Sequence, residues 1–167
     1  MKADALPGPA QSHPKVIVHA PGEGEQIWFL DNLLTVKASG ATGSAFAVLE
    51  NRLPANSQTP FHRHDAEDEA FYVLEGSLTV YLDDGRRITA GPGSYVHLPC
   101  GTAHGFRTHT AVRMLVVCGT EGFVEMTREA GVPAKRNELP PPAEPDFARL
   151  ERACAHNAIK ILGPLPE

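Results

Sequence analysis

The chain has 167 residues, a formal net charge of −5 and a hydrophobic share of 42%. This length and composition predict one domain with a single core, and they exclude the basic face that nucleic-acid binding needs. No segment has the apolar length of a membrane-spanning helix, so no membrane partner is expected. Three widely spaced cysteines do not suggest a disulfide framework and favour a reducing, cytoplasmic location.

Short strands separated by turns are predicted over most of the chain. Turn residues such as Asp83-Asp84-Gly85 and Gly91-Pro92-Gly93 separate apolar runs of four to seven residues. The predicted strands are residues 16–18, 27–30, 33–37, 44–49, 69–74, 77–82, 86–89, 94–98, 105–107 and 112–118. Many short strands with such turns indicate an all-β sandwich or barrel.

The pattern becomes helical after residue 120. Residues 121–129 predict a short helix, and residues 145–156 predict a second one with apolar residues at helical spacing. We therefore expect a flexible tail at residues 1–14, a barrel at residues 15–120 and a helical extension at residues 121–167. The extension would pack on the barrel, where it could also cap its mouth or wall a pocket.

Four residues in two motifs could form a metal site. His62 and His64 would share one face of a strand, because alternate side chains point the same way. Glu69 would face away on a straight strand, so the polar residues 65–68 predict a turn or bulge that brings it back. The turn at residues 99–101 can deliver His104 from a distant strand. Three imidazoles and a carboxylate suit many divalent metals.

The same motifs resemble those of the cupin superfamily. The residues that match are His62, His64, Glu69 and Gly76 in the first motif, and Gly93, Pro99, Gly101 and His104 in the second. The resemblance implies a double-stranded β-helix, which is a jelly-roll barrel, with the metal inside it. The segment 122–164 is similar to the tail of bacterial single-domain quercetinase-like cupins, which are flavonol 2,4-dioxygenases.

This resemblance implies a metal-dependent dioxygenase that cleaves an aromatic or enolisable hydroxy-carbonyl substrate with O2. His62, His64, Glu69 and His104 would bind one divalent ion of Fe, Ni, Mn, Co, Zn or Cu per chain, and Glu69 would also be the catalytic base. Two alternatives stay open: a non-catalytic cupin that binds metal and a small ligand, and a metal-assisted isomerase or lyase. Because cupins are often dimers, a homodimer is expected.

Strand parity suggests which other side chains face the barrel interior. Phe71 and Val73 share parity with Glu69, and Phe106 shares parity with His104. These three would be either plain core or the apolar wall of a substrate pocket. The remaining polar residues of the motifs receive structural interpretations: His97 as a hydrogen-bonded histidine, Cys100 as a small turn residue, and Asp65, Glu67 and Asp68 as a solvated turn.

Overall fold

The computed structural model describes residues 16–166, so the predicted tail at residues 1–14 lies outside the described residues. Within this range the chain forms strands β1 (Glu25–Phe29), β2 (Asn32–Ala38), β3 (Ala47–Leu53), β4 (Phe61–His64), β5 (Glu69–Glu75), β6 (Leu78–Leu82), β7 (Arg87–Ala90), β8 (Tyr95–Leu98), β9 (His104–Thr108), β10 (Val112–Cys118), β11 (Val132–Pro133) and β12 (Ile159–Gly163). Two helices, α1 (Gly122–Ala130) and α2 (Phe147–His156), and a 3-10 turn at Gly40–Thr42 complete the elements of this range.

The strands form two antiparallel sheets with one core. The seven-stranded sheet has the order β11-β1-β2-β3-β10-β5-β8, and the five-stranded sheet has the order β12-β4-β9-β6-β7. Burial alternates along β3 and β10, so every second side chain points inward. The inward side chains of both sheets belong to a single apolar cluster. The expected all-β jelly-roll barrel with short C-terminal helices is therefore confirmed.

The structure corrects the predicted elements at both ends. Residues 16–18 form no strand, although their β-branched side chains predicted one. Strand β12 was not predicted, and it pairs with β4 so that Ile161 lies opposite His62. The segment after residue 120 thus adds a strand to the sheet that carries all three histidines of the predicted site. No helix in residues 16–166 is long and apolar enough to span a membrane.

The turn that follows β5 requires glycine. Gly76 has a φ of +79°, a backbone angle that residues with a Cβ rarely adopt. A Cβ at this position would lie 2.0 Å from the carbonyl oxygen of Ala111. The glycine that closes the first motif therefore allows β5 to turn tightly into β6 against the loop that precedes β10.

Candidate metal centre

The two sheets bring four candidate ligands to one place inside the barrel. Strand β4 carries His62 and His64, and its neighbour β9 carries His104 directly opposite His62. Glu69 begins β5 in the facing sheet. Residues 65–68 are the turn between them, and this turn carries the chain from one sheet to the other. It thus restores Glu69 to the side of the histidines, as the motif spacing predicted.

The four side chains converge closely. One ligand atom from each of His62, His64, Glu69 and His104 lies within 4.8 Å of all the others. Oε2 of Glu69 is 3.0 Å from Nε2 of His104 and 3.6 Å from Nε2 of His64. Ligands about 2.1 Å from a divalent ion lie up to roughly 4.2 Å from one another. Only a slight contraction would therefore place all four around an ion.

Acceptors behind each imidazole fix which nitrogen faces the centre. Nδ1 of His62 lies 2.8 Å from the carbonyl oxygen of Pro60, and Nδ1 of His104 lies 3.0 Å from that of Thr102. Nδ1 of His64 lies 3.1 Å from Oε1 of Glu67. Each Nδ1 can thus donate its proton outward, which leaves Nε2 with a free lone pair. Such backing acceptors are typical of histidines that ligate metals.

In this arrangement the Nε2 lone pairs of the imidazoles face the Glu69 carboxylate. All of these are hydrogen-bond acceptors, and a cation between them would be stabilised by each. Nε2 of His64 is buried without a hydrogen-bond partner in the described part of the chain. With its proton on Nδ1, His104 cannot donate to Glu69, although the two atoms are 3.0 Å apart. Three imidazole nitrogens and a carboxylate oxygen form a donor set that suits a divalent transition metal. The residues present therefore fit a metal ion.

The charges of the cluster also suit a cation. Burial and the neighbouring ring of His104 lower the pKa of His62 to about 4. Burial alone would raise the pKa of Glu69, but the charges of His64 and His104 outweigh it and lower the pKa to about 2. Burial lowers the pKa of His64, yet Glu69 and Glu67 together raise it above its usual value. An ionised Glu69 and a neutral His62 are the forms that bind metal.

Glu67 is a buried residue beside the cluster that the sequence interpretation missed. It is 5% exposed, not solvated as a turn residue was expected to be. Its Oε1 accepts from the backbone N–H of Phe123 at 2.8 Å and contacts His64, while its Oε2 accepts from the hydroxyl of Thr120 at 2.8 Å. Glu67 therefore links a candidate metal ligand to the start of helix α1.

The other residues of this turn hold the two motifs together. Asp68 accepts from the backbone N–H of Cys100 at 2.8 Å and contacts Nε2 of His97 at 3.2 Å. The backbone N–H of Gly101 donates to the carbonyl oxygen of His64 at 2.8 Å. His97 is exposed and hydrogen-bonded, which confirms its structural interpretation. Asp65 is exposed and pairs with Arg63.

An apolar cavity of about 60 Å³ lies against the cluster. Both sheets and both helices contribute to its wall, which includes His62, His64, Glu69, Phe71, Phe106, Met114, Val116, Phe123, Met126, Leu150, Cys154, Ile159 and Ile161. Phe71 and Phe106 meet edge to face, with ring centroids 5.7 Å apart. Val73, the third predicted pocket residue, is fully buried in the core but is not part of the cavity wall.

A wider groove adjoins this cavity beside helix α2. It has a volume of about 760 Å³ and is lined by the proline-rich segment 139–145 and the loop 54–60. The groove and the cavity share Leu30, Thr59, Pro60, Leu150 and Ile161 in their walls. These shared side chains separate the cavity from the groove, so their movement would connect the two.

Comparisons with known proteins agree with this geometry. Residues 50–118 match the family model of the cupin domain. The quercetin 2,3-dioxygenase of Bacillus subtilis (strain 168) is 31% identical over 133 residues, which are 78% of this chain and 39% of that protein. The chain thus spans about two fifths of the length of this curated relative.

Two solved structures share the fold. The polyketide cyclase RemF from Streptomyces resistomycificus is 25% identical with a TM-score of 0.53, covering 76% of this chain and 82% of that one. The ectoine synthase from P. lautus is 18% identical with a TM-score of 0.59, covering 80% of this chain and 98% of that one.

The jelly-roll fold and the cluster of three histidines and a glutamate define the class as a cupin with the kind of site that holds a metal in that family. Residues 50–118 are a cupin domain, and the sequence of the chain is quercetinase-like.

Proposed function

We propose that this chain is a metal-dependent dioxygenase that cleaves a flavonol-like, enolisable hydroxy-carbonyl substrate with O2. The observation that carries this proposal is the position of the ligand cluster on the wall of an apolar, aromatic-lined cavity. Phe71, Phe106 and Phe123 offer ring faces and edges to a flat aromatic ligand. The sequence similarity to a quercetin 2,3-dioxygenase supports the same substrate class.

In this proposal the chain binds the ion and moves one proton. His62, His64, His104 and Glu69 hold the ion, and the chemistry it supplies is Lewis acidity that acidifies a substrate hydroxyl and polarises the adjoining carbonyl. The Glu69 carboxylate accepts the proton of that hydroxyl once substrate binding has reoriented the carboxylate. Phe71 and Phe106 hold the ring and exclude water. O2 is the oxidant; the ring opens and carbon monoxide leaves, so the remaining product has one carbon fewer and one oxygen more than the substrate.

Substrate access requires the helices to move in this proposal. A volume of about 60 Å³ holds about two water molecules, whereas a flavonol has three rings. Leu150 of α2 lies in the walls of both the cavity and the outer groove, and Phe123 and Met126 of α1 also line the cavity. We therefore propose that the groove is the entrance and that α1 and α2 form a lid, as is common in enzymes that exclude water.

An oxygen-uptake assay tests the proposal. The protein is loaded separately with Fe(II), Ni(II), Mn(II), Co(II), Zn(II) and Cu(II), and oxygen consumption is recorded with 3-hydroxyflavone. We expect uptake that depends on metal, with carbon monoxide released in equal amount. Stoichiometric metal without oxygen uptake under any of these conditions would contradict the dioxygenase proposal.

Two finer predictions accompany it. A homodimer is expected from the resemblance to cupins, and a single mass of twice 18.0 kDa by light scattering would support it.

A cytoplasmic location is expected from the cysteines, all three of which are free thiols. Burial raises the pKa of Cys154, which lines the cavity, to about 11, so this thiol is neutral at neutral pH.

A further inference from the structure

Two buried amide side chains line the cavity. Asn32 is 5% exposed and Asn51 is 3% exposed, and both belong to the cavity wall. In the described part of the chain, Oδ1 of each side chain is buried with no hydrogen-bond partner. An unpaired buried polar group destabilises the fold, so its presence calls for a ligand or a specific role. Two such groups in one cavity wall indicate a binding site.

The strand registers place these amides away from the metal cluster. Cys118 of β10 lies opposite both Ala47 and Glu69, whereas Met114 lies opposite Asn51. Asn51 is therefore four residues further along the sheet than Glu69, roughly 13 Å at 3.3 Å per residue. Leu34 lies opposite Asn51, so Asn32 is its diagonal neighbour on the adjoining strand. The two amides form one polar patch at the opposite end of the cavity.

The composition of the wall defines the group that this patch can bind. Among residues 16–166 no Lys or Arg is part of the cavity wall, so an anionic group such as a phosphate would meet no compensating charge from them. Each carboxamide offers both an acceptor and two donors. A neutral hydroxyl, which also donates and accepts, is the group that matches two such amides best.

We propose that Asn32 and Asn51 form a subsite that binds a second, neutral hydroxyl of the substrate while its first hydroxyl faces the metal cluster. This inference rests on the proposed function for the substrate class. It defines the substrate as an elongated, uncharged aromatic compound with hydroxyl groups at both ends. The residues between the two ends, Phe71, Phe106 and Val116, would contact the apolar body of the ligand.

Equilibrium binding to the metal-loaded chain without oxygen tests the subsite. The probes are 3-hydroxyflavone, 3,7-dihydroxyflavone and 3,4′-dihydroxyflavone, which differ only in the hydroxyl at either far end. We expect the wild-type chain to bind one of the dihydroxy compounds about tenfold more tightly than 3-hydroxyflavone. Asn32→Leu and Asn51→Leu preserve side-chain size, and each should reduce this ratio to about two or less. Asn51→Thr, which replaces the amide with a hydroxyl that can still donate and accept, should retain part of the preference.

Controls separate a subsite from a structural role. Thr35→Val removes a buried hydroxyl on the same strand as Asn32 but outside the cavity wall, so it should leave the preference unchanged. Both Asn→Leu variants should keep their metal content and melt at the same temperature as the wild type or higher, because an unpaired amide is removed. A lower melting temperature together with an unchanged preference would show that water or the fold uses the amides, and would overturn the subsite.

The outcomes also separate this inference from the proposed function. Loss of the preference in the variants without any oxygen uptake would support the subsite and contradict the dioxygenase. Oxygen uptake with equal wild-type affinity for all three flavones would overturn the subsite and keep the dioxygenase. If none of the three compounds binds the metal-loaded wild type, both are wrong.

Discussion

Glu69 has two proposed roles that one substitution separates. Glu69→Gln keeps a carbonyl oxygen that can ligate, but it removes the charge and the ability to take up a proton. We expect this variant to retain part of its metal and to lose most of its oxygen uptake, about 100-fold or more, the size of a general-base contribution. Elemental analysis and the uptake assay measure the two effects separately. Full turnover by the variant would rule out the base role.

Glu67 should control how well His64 holds the ion. The substitution Glu67→Gln keeps the size of the side chain but removes the negative charge behind His64 and Phe123. Loss of such a backing carboxylate typically weakens metal binding 10- to 100-fold. Competitive titration with a chelator measures this change.

Asp65→Asn is the matched control for Glu67→Gln. It lies in the same turn, but its side chain is exposed and pairs with Arg63 rather than with the cluster. We expect its metal affinity to equal that of the wild type. If metal affinity fell equally in both variants, the effect would come from any negative charge in this turn. That result would contradict a specific role of Glu67.

The difference between Glu69 and Glu67 shows what the sequence can and cannot predict about residues. The candidate ligand set follows from local strand parity and from motif spacing, both of which are readable in sequence. Glu67 acts through Thr120 and Phe123, which are 53 and 56 residues away. Nothing in the local pattern distinguishes it from Asp65 and Asp68, because all three are acidic residues in one turn.

At the level of elements, the strands with turn residues at both ends were predictable and β12 was not. The segment 159–163 is short, follows α2 closely and ends at Gly163. In the described range it has no strand to pair with nearby in sequence. Their strand conformation depends on pairing with β4, almost 100 residues earlier. The cavity wall likewise combines α1, α2 and β12 with both sheets, so its shape depends on contacts that no single segment encodes.

Arg149 should control the stability of the proposed lid. Its guanidinium donates to the carbonyl oxygens of Glu129 at 2.6 Å and Gly131 at 2.7 Å at the C-terminal end of α1. We expect Arg149→Ala to cost about 1–3 kcal/mol locally. Amide hydrogen exchange in α1 and α2 should accelerate by tenfold or more, while β3 and β10 in the barrel stay unchanged.

Arg152→Ala is the control for this experiment. Arg152 lies on the same helix but is exposed to solvent. It should leave exchange in both helices as in the wild type. If Arg149→Ala accelerates exchange equally in the helices and in the barrel strands, the helices do not open independently of the barrel, and the proposed lid motion is wrong.

At the scale of the whole molecule, the candidate metal centre connects the two sheets. His62, His64 and His104 belong to the five-stranded sheet and Glu69 to the seven-stranded sheet. An ion held by all four would therefore join the two sheets from inside the barrel. Because the unfolded chain does not hold these ligands together, binding energy contributes to folding.

Metal should therefore raise the melting temperature of the whole chain. At a free metal concentration of 100 times Kd, the stabilisation is about 2.7 kcal/mol, which for a domain of this size raises Tm by roughly 5–11 °C. Calorimetry with metal and with excess chelator measures the shift.

His104→Ala removes a ligand from the cluster and should abolish the shift. The control His109→Ala removes a ring that contacts Thr79 outside the cluster, so it should keep the shift. Stoichiometric metal binding without any change in Tm would mean that the ion does not bridge the two sheets.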